Sequence, residues 1–173
     1  MKKDLFKKYH VTRPNLITSV YFNFIYNLVS NIIVFNKKRV LDFGGGIGHL
    51  KKKLVAKGAT VKIYDIVKEI SDINDYKNFK FDIIIFCQVL CVVNKKEILE
   101  IINFLKKKKN IKIISVFSTQ TFLNKLFAFI LGHSEAHKDT KLRPDEEYNL
   151  LKNNFKIIKL RNYYLFKIFV LKT

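Results

Sequence analysis

The chain has 173 residues, 49% of them hydrophobic and 27% charged, which suits one folded domain with a substantial core and excludes a disordered or fibrous protein. The formal net charge is +19, yet Arg13, Arg39, Arg143 and Arg161 are the only arginines. Arginine is the residue that reads phosphates and bases in bidentate fashion, so nucleic-acid contact is possible but not favoured. Cys87 and Cys91 share one apolar run without a metal-ligand or disulfide pattern, as in a reduced, cytoplasmic protein. No apolar run approaches a membrane span, and no signal-type core directly follows Met1-Lys2-Lys3-Asp4.

Residues 1–14 read as a basic arm or short helix. From Asn15 to Phe35, Leu16, Val20, Phe24, Leu28 and Ile32 recur at helical spacing, which predicts an amphipathic helix. It could pack on a sheet, cover a ligand or lie on a membrane surface, so peripheral membrane contact through 15–35 is open. Arg39 to Phe43 follows as a buried strand. Next come glycines at alternate positions (Gly44, Gly46, Gly48) and a helix over about Ile47–Lys57, closed by Gly58. Strand, glycine turn and helix in this order make a nucleotide-type site, because glycine lets a ligand approach the main chain. A dinucleotide fingerprint starting at Gly44 needs glycine where His49 stands, and a P-loop needs Lys-Ser/Thr after its glycines. The pattern Asp42-x-Gly44-x-Gly46-x-Gly48 instead resembles motif I of the class I S-adenosylmethionine-dependent methyltransferases.

Thr60 to Asp65 alternates as a second strand ending in an acid, where a doubly wound sheet presents a carboxylate to ribose hydroxyls. Phe81 to Cys87 is a buried strand similar to the family's fourth. Only Ile66 to Lys80 lies between them, too little for two crossovers and a strand, so the third strand is expected to be missing and strand two to form an edge. Lys62 suits such an edge. Asp72 could replace the lost adenine contact or be a solvated loop carboxylate. Gln88 to Val93 is similar to the segment that lines the cofactor's methionine end in the family. Gln88 could bond cofactor, substrate or nearby backbone.

A helix over Asn94–Lys108 is expected to bury Ile98, Leu99, Ile102 and Leu105, and Ile111–Phe117 reads as the next strand. Ser118 to Arg143 is the expected lid or substrate segment. Within it His133 and His137 are candidates for a general base or for orienting substrate, since imidazole titrates near neutrality. They flank Glu135, but the order differs from a zinc helix, so no metal is expected. Pro144-Asp145-Glu146-Glu147 opens a helix whose acids complement its dipole. Two terminal strands follow, Phe155–Leu160 and Leu165–Leu171.

The expected fold is α/β: a Rossmann-like, mostly parallel sheet with an antiparallel terminal strand. Residues 1–38 would form the arm and helix, 39–173 the core, and 118–143 the lid, in one domain spanning 1–173. The resemblance implies S-adenosyl-L-methionine as cofactor, with Asp42 orienting the glycine loop and the ammonium. Gly44, Gly46 and Gly48 would admit the amino-acid end, Asp65 would take the ribose, Ile66 would press on the adenine, and Cys87 and Gln88 would complete the floor. Without the Asn/Asp-Pro-Pro-Tyr/Phe signature of base-amine enzymes, or their Pro-Cys counterpart for cytosine, a small-molecule acceptor is expected. An RNA or protein acceptor, or an inactive cofactor-binding homologue, is the alternative. The oligomeric state is open.

Overall fold

The computed structural model describes residues 16–119 and 141–173. Six strands form one sheet: β1 (Arg39–Phe43), β2 (Thr60–Tyr64), β3 (Ile83–Cys87), β4 (Lys112–Ser118), β5 (Lys156–Asn162) and β6 (Phe166–Lys172). Their order is β2-β1-β3-β4-β6-β5. The pairs β1–β2, β1–β3 and β3–β4 are parallel, whereas β6 runs antiparallel between β4 and β5. The sheet is therefore Rossmann-like with an antiparallel end. Two 3₁₀ turns, Lys68–Ile70 and Tyr76–Asn78, occupy the gap between β2 and β3, so β2 is an edge as its short connection requires.

Alternation along the strands sends apolar residues to both faces, the pattern of a sheet covered on two sides. Leu41, Ile84, Phe86, Ile113 and Phe169 pack towards α3 (Lys95–Lys106) and α4 (Pro144–Asn154). Val40, Ile83, Ile85, Ile114 and Val170 pack towards α1 (Leu16–Ile32) and α2 (His49–Ala56). The bidentate pair of Arg39 with Asp82 ties the starts of β1 and β3 together, reinforced by the Arg39 N–H donating to the same carboxylate at 2.9 Å.

Three of the expected helical faces shift. In α1 the buried residues include Thr18, Ile25, Val29 and Ile32, while Leu16, Val20 and Phe24 face water. A series spaced by four gains about 40° at each step at 3.6 residues per turn, so the Leu16–Ile32 series winds from the solvent side to the buried side. In α3, Ile101 is buried in place of Leu99. In α4, Glu147 is buried rather than lying on the dipole-facing surface, because it stands one turn before the buried Leu151. Glu146 reaches back to the helix start, accepting from the Arg143 N–H at 2.8 Å, and Asp145 pairs with the Arg143 guanidinium at 3.5 Å.

Candidate functional site

The glycine loop runs from the end of β1 into α2, with Gly44, Gly46 and Gly48 all at positive φ. Each has its own reason to be glycine. A Cβ on Gly44 would collide with the Val89 side chain, and one on Gly48 would press on Ile63 at 3.1 Å. A Cβ on Gly46 would meet nothing within 4 Å, so this residue faces open space. Gly45 is a further requirement, which the alternate-glycine pattern does not single out: its Cβ would stand 2.6 Å from an Asp42 oxygen.

Asp42 lies on the α1/α2 side of the sheet and is 1% exposed. Neither of its carboxylate oxygens has a hydrogen-bond partner among the described residues. Burial raises its pKa to about 7, helped by the nearby negative charges of Asp65 and Asp72 and opposed by Lys51. Asp42 therefore makes no hydrogen bond among the described residues that would orient the loop. Asp65 orients it, accepting from the Gly46 N–H at 3.0 Å and the Val67 N–H at 3.0 Å. Its own backbone N–H is held by the Ser71 hydroxyl. Each Asp65 oxygen keeps acceptor capacity beyond these bonds. Ile66, next in the chain, is 83% exposed.

Asp72, expected either to replace the adenine contact or to be a solvated loop carboxylate, is tied to β2. Its carboxylate accepts from the Ile63 N–H at 2.7 Å and pairs with Lys51 at 2.8 Å, while its own N–H donates to the Ile63 carbonyl. Asp72 thus pairs both the N–H and the carbonyl of Ile63 on the outer side of β2, where the Ser71 hydroxyl also donates to that carbonyl at 3.3 Å. Burial pushes the Asp72 carboxyl up, but the Lys51 and Ile63 donors together hold it below the usual carboxylate range.

Opposite the loop, Gln88 sits at φ 55 just past β3. Its N–H donates to the Val116 carbonyl and its side-chain amide donates to the Tyr21 hydroxyl at 2.7 Å. The left-handed conformation of a non-glycine residue costs about 1–2 kcal/mol and fixes the turn after the strand. Tyr26, one turn further along α1, stacks on His49 with ring centroids 6.4 Å apart. The helix thereby brings Tyr21 and Tyr26, which spacing alone did not mark, beside the site. Cys87 lies on the same side, and burial together with Asp42 raises its thiol pKa, leaving it neutral. Burial and Glu147 push the Cys91 thiol up to about 11. Neither thiol is a nucleophile near neutrality. His133 and His137, with residues 120–140 of the expected lid, lie outside the described residues. No cluster of metal-binding side chains occurs among the described residues.

A parallel sheet with a glycine loop after β1 and an acid after β2 defines a cofactor-binding fold of the methyltransferase kind. The family model for a methyltransferase domain matches residues 23–154, and the chain belongs to this family, the class I S-adenosylmethionine-dependent methyltransferases. Among solved structures, magnesium protoporphyrin IX methyltransferase from Synechocystis PCC 6803, determined with bound SAH, is similar at 19% identity and TM-score 0.66, over 92% of this chain and 88% of that one. The PH0226 protein from Pyrococcus horikoshii OT3 aligns over 96% and 99% of the two chains, at 16% identity and TM-score 0.68. The pyocyanin biosynthetic protein PhzM gives a TM-score of 0.69 at 13% identity, over 96% of this chain and 61% of that one. Among curated proteins, none matches the chain in sequence.

Proposed function

We propose that this methyltransferase acts on a small-molecule acceptor and that the Asp42–Gly48 loop, Asp65, Ile66, Cys87 and Gln88 form its cofactor site. The observation that carries the site is the buried, unpartnered Asp42 carboxylate packed against Gly45, whose neighbour Gly46 faces open space. A buried carboxylate without a donor is costly, and an ammonium group beside it is the partner that relieves the cost. The cofactor's amino-acid end carries such an ammonium, so these residues fit it.

S-adenosylmethionine supplies, when bound, a methyl group on an electrophilic sulfonium. The chain's own residues bind and align. Asp42 holds negative charge for the ammonium, and Gly46 leaves room for main-chain approach. Asp65 offers its remaining lone pairs to the ribose hydroxyls while keeping the loop in shape. Ile66 gives the adenine an apolar surface, and Gln88, fixed by Tyr21, closes the floor. Positioning of donor and acceptor can supply much of the rate in such a reaction. An acceptor proton would pass to a side chain of the 118–143 segment, for which His133 and His137 are the candidates.

The small-molecule reading is supported by the kinds of enzyme that share the fold, which include human N-acetylserotonin methyltransferase and the mitomycin 7-O-methyltransferase MmcR. Calorimetric titration with S-adenosylmethionine and its demethylated product tests the site. Micromolar binding that Asp65→Ala weakens strongly is expected, and a well-folded wild type that binds neither compound refutes it. Methyl transfer from labelled cofactor to small metabolites, against none to RNA or protein, tests the acceptor class.

A further inference from the structure

The N-terminal half of α1 turns an uncharged apolar face to water. Leu16 and Val20 are 81% and 62% exposed, with Ile17 and Phe24 beside them on the same side. The patch continues onto the β5–β6 turn, where Phe24 meets Tyr163 edge-on at 6.4 Å and Tyr164 is 67% exposed. Arg161, two residues before Tyr163, is the basic side chain of β5 nearest to it, while Lys159 sits further along, at the other end of α1. Lys159 and Arg161 of β5 pair in register with Val170 and Ile168, which belong to the α1 side of the core. The Lys159 ammonium reaches the Ile32 carbonyl at 3.3 Å.

The surrounding sequence has one sign of charge. Between Asp4 and Asp42 there is no acidic residue, and after Glu147 there is none either; α1 itself is uncharged, with Lys7, Lys8 and Arg13 before it and Lys37, Lys38 and Arg39 after it, while lysine and arginine recur along the second stretch. These are the stretches that build α1 and the β5–β6 hairpin. Apolar side chains that reach out from a basic, acid-free surface match an interface of apolar chains beneath anionic headgroups. A second copy of the chain would bring the same positive charge against itself. A nucleic acid would satisfy the lysines but leave Leu16, Val20 and Tyr164 without apolar contact.

We propose that this face docks on an anionic lipid surface, with Leu16, Val20 and Tyr164 entering the interface and Arg161 meeting the headgroups. It lies along the edge of the sheet that carries the site, since Tyr21 of the same half-helix bonds Gln88 beyond β3. Docking is a surface-attached state, for no described helix is long and apolar enough to cross a membrane. Such docking does not depend on which acceptor is methylated.

Flotation of the full chain with phosphatidylcholine vesicles, with and without phosphatidylglycerol, tests it. The wild type should float with anionic vesicles and remain behind with neutral ones. Val20→Asn combined with Tyr164→Asn should lower partitioning at least about tenfold, the loss expected from withdrawing two apolar side chains from the interface. Its circular dichroism and cofactor binding should match the wild type, and Val20→Leu with Tyr164→Phe should float normally. Failure of the wild type to float with anionic vesicles overturns the proposal, as does undiminished flotation of the folded Asn variant. A dimer in light scattering that the Asn variant dissolves would give the face to a second copy and overturn it equally.

Discussion

If Asp42 faces the cofactor's ammonium as proposed, cofactor binding should depend on pH in a way that can be worked out in advance. In the free protein its carboxyl titrates at about 7. A bound ammonium stabilises the ionised form, so binding below that value must first release the proton. The affinity scales with the ionised fraction, which falls from about nine-tenths at pH 8 to about one-tenth at pH 6, so binding should weaken about tenfold over that interval. If the bound carboxyl returns to its ordinary value near 3.9, the coupling between ammonium and carboxylate amounts to about 4 kcal/mol. Isothermal titration across this range, repeated in buffers of different ionisation enthalpy, measures both the slope and the released proton. Asp42→Asn should bind more weakly and lose most of the slope and of the proton release. A wild type whose affinity is flat from pH 8 to pH 6 and whose binding releases no proton would refute the reasoning.

The same carboxyl should trade binding against stability. Its folded pKa is raised above the unfolded one, so its favourable contribution is full below about 3.9 and is lost as pH rises through about 7. Asp42→Asn should therefore be more stable than wild type at pH 8, by up to about 4 kcal/mol, with the gap narrowing towards pH 5 in denaturant titrations. Glu147, raised to about 7 by burial against the opposing Ser115 hydrogen bond, should behave likewise as Glu147→Gln in thermal melts at pH 8. The loop glycines should separate by their surroundings. Gly46→Ala places its methyl in open space and should lose about 1–2 kcal/mol of stability while its cofactor affinity falls steeply, whereas Gly44→Ala also forces Val89 aside and should unfold more readily. Asp72→Ala removes both the Lys51 pair and the Ile63 hydrogen bond, so it should lower the melting temperature and increase aggregation through the uncovered β2 edge, both readable in a light-scattering melt.

Local order was legible in the sequence because local rules produced it. The β1 run, the alternate glycines and the acid after β2 are near neighbours, and the missing strand follows from counting the residues between Asp65 and Phe81. Contacts between distant residues were not legible. The Gly46–Asp65 bond spans 19 residues, the Ser115–Glu147 pair 32 and the Gln88–Tyr21 bond 67, and no periodicity links such partners. Glu147 did leave a trace, since it and Leu151 share one helix face, but a run of three acids at a helix start suggested dipole complementarity first. The need for glycine at position 45 depends on the rotamer of Asp42, which spacing does not encode.

The edge position of β2 bears on how the protein breathes. A strand with one neighbour can detach without disturbing the central β1–β3–β4 layer, so its amides belong to the part of the molecule that opens at the lowest free energy. Asp65 extends directly from that strand and grips Gly46 across the gap, and Asp72 is its outer clasp at Ile63. Hydrogen exchange should accordingly be fastest in β2 among the parallel strands. A ligand held by Asp65 would slow exchange there first, turning the loosest strand of the sheet into the one whose protection reports occupancy.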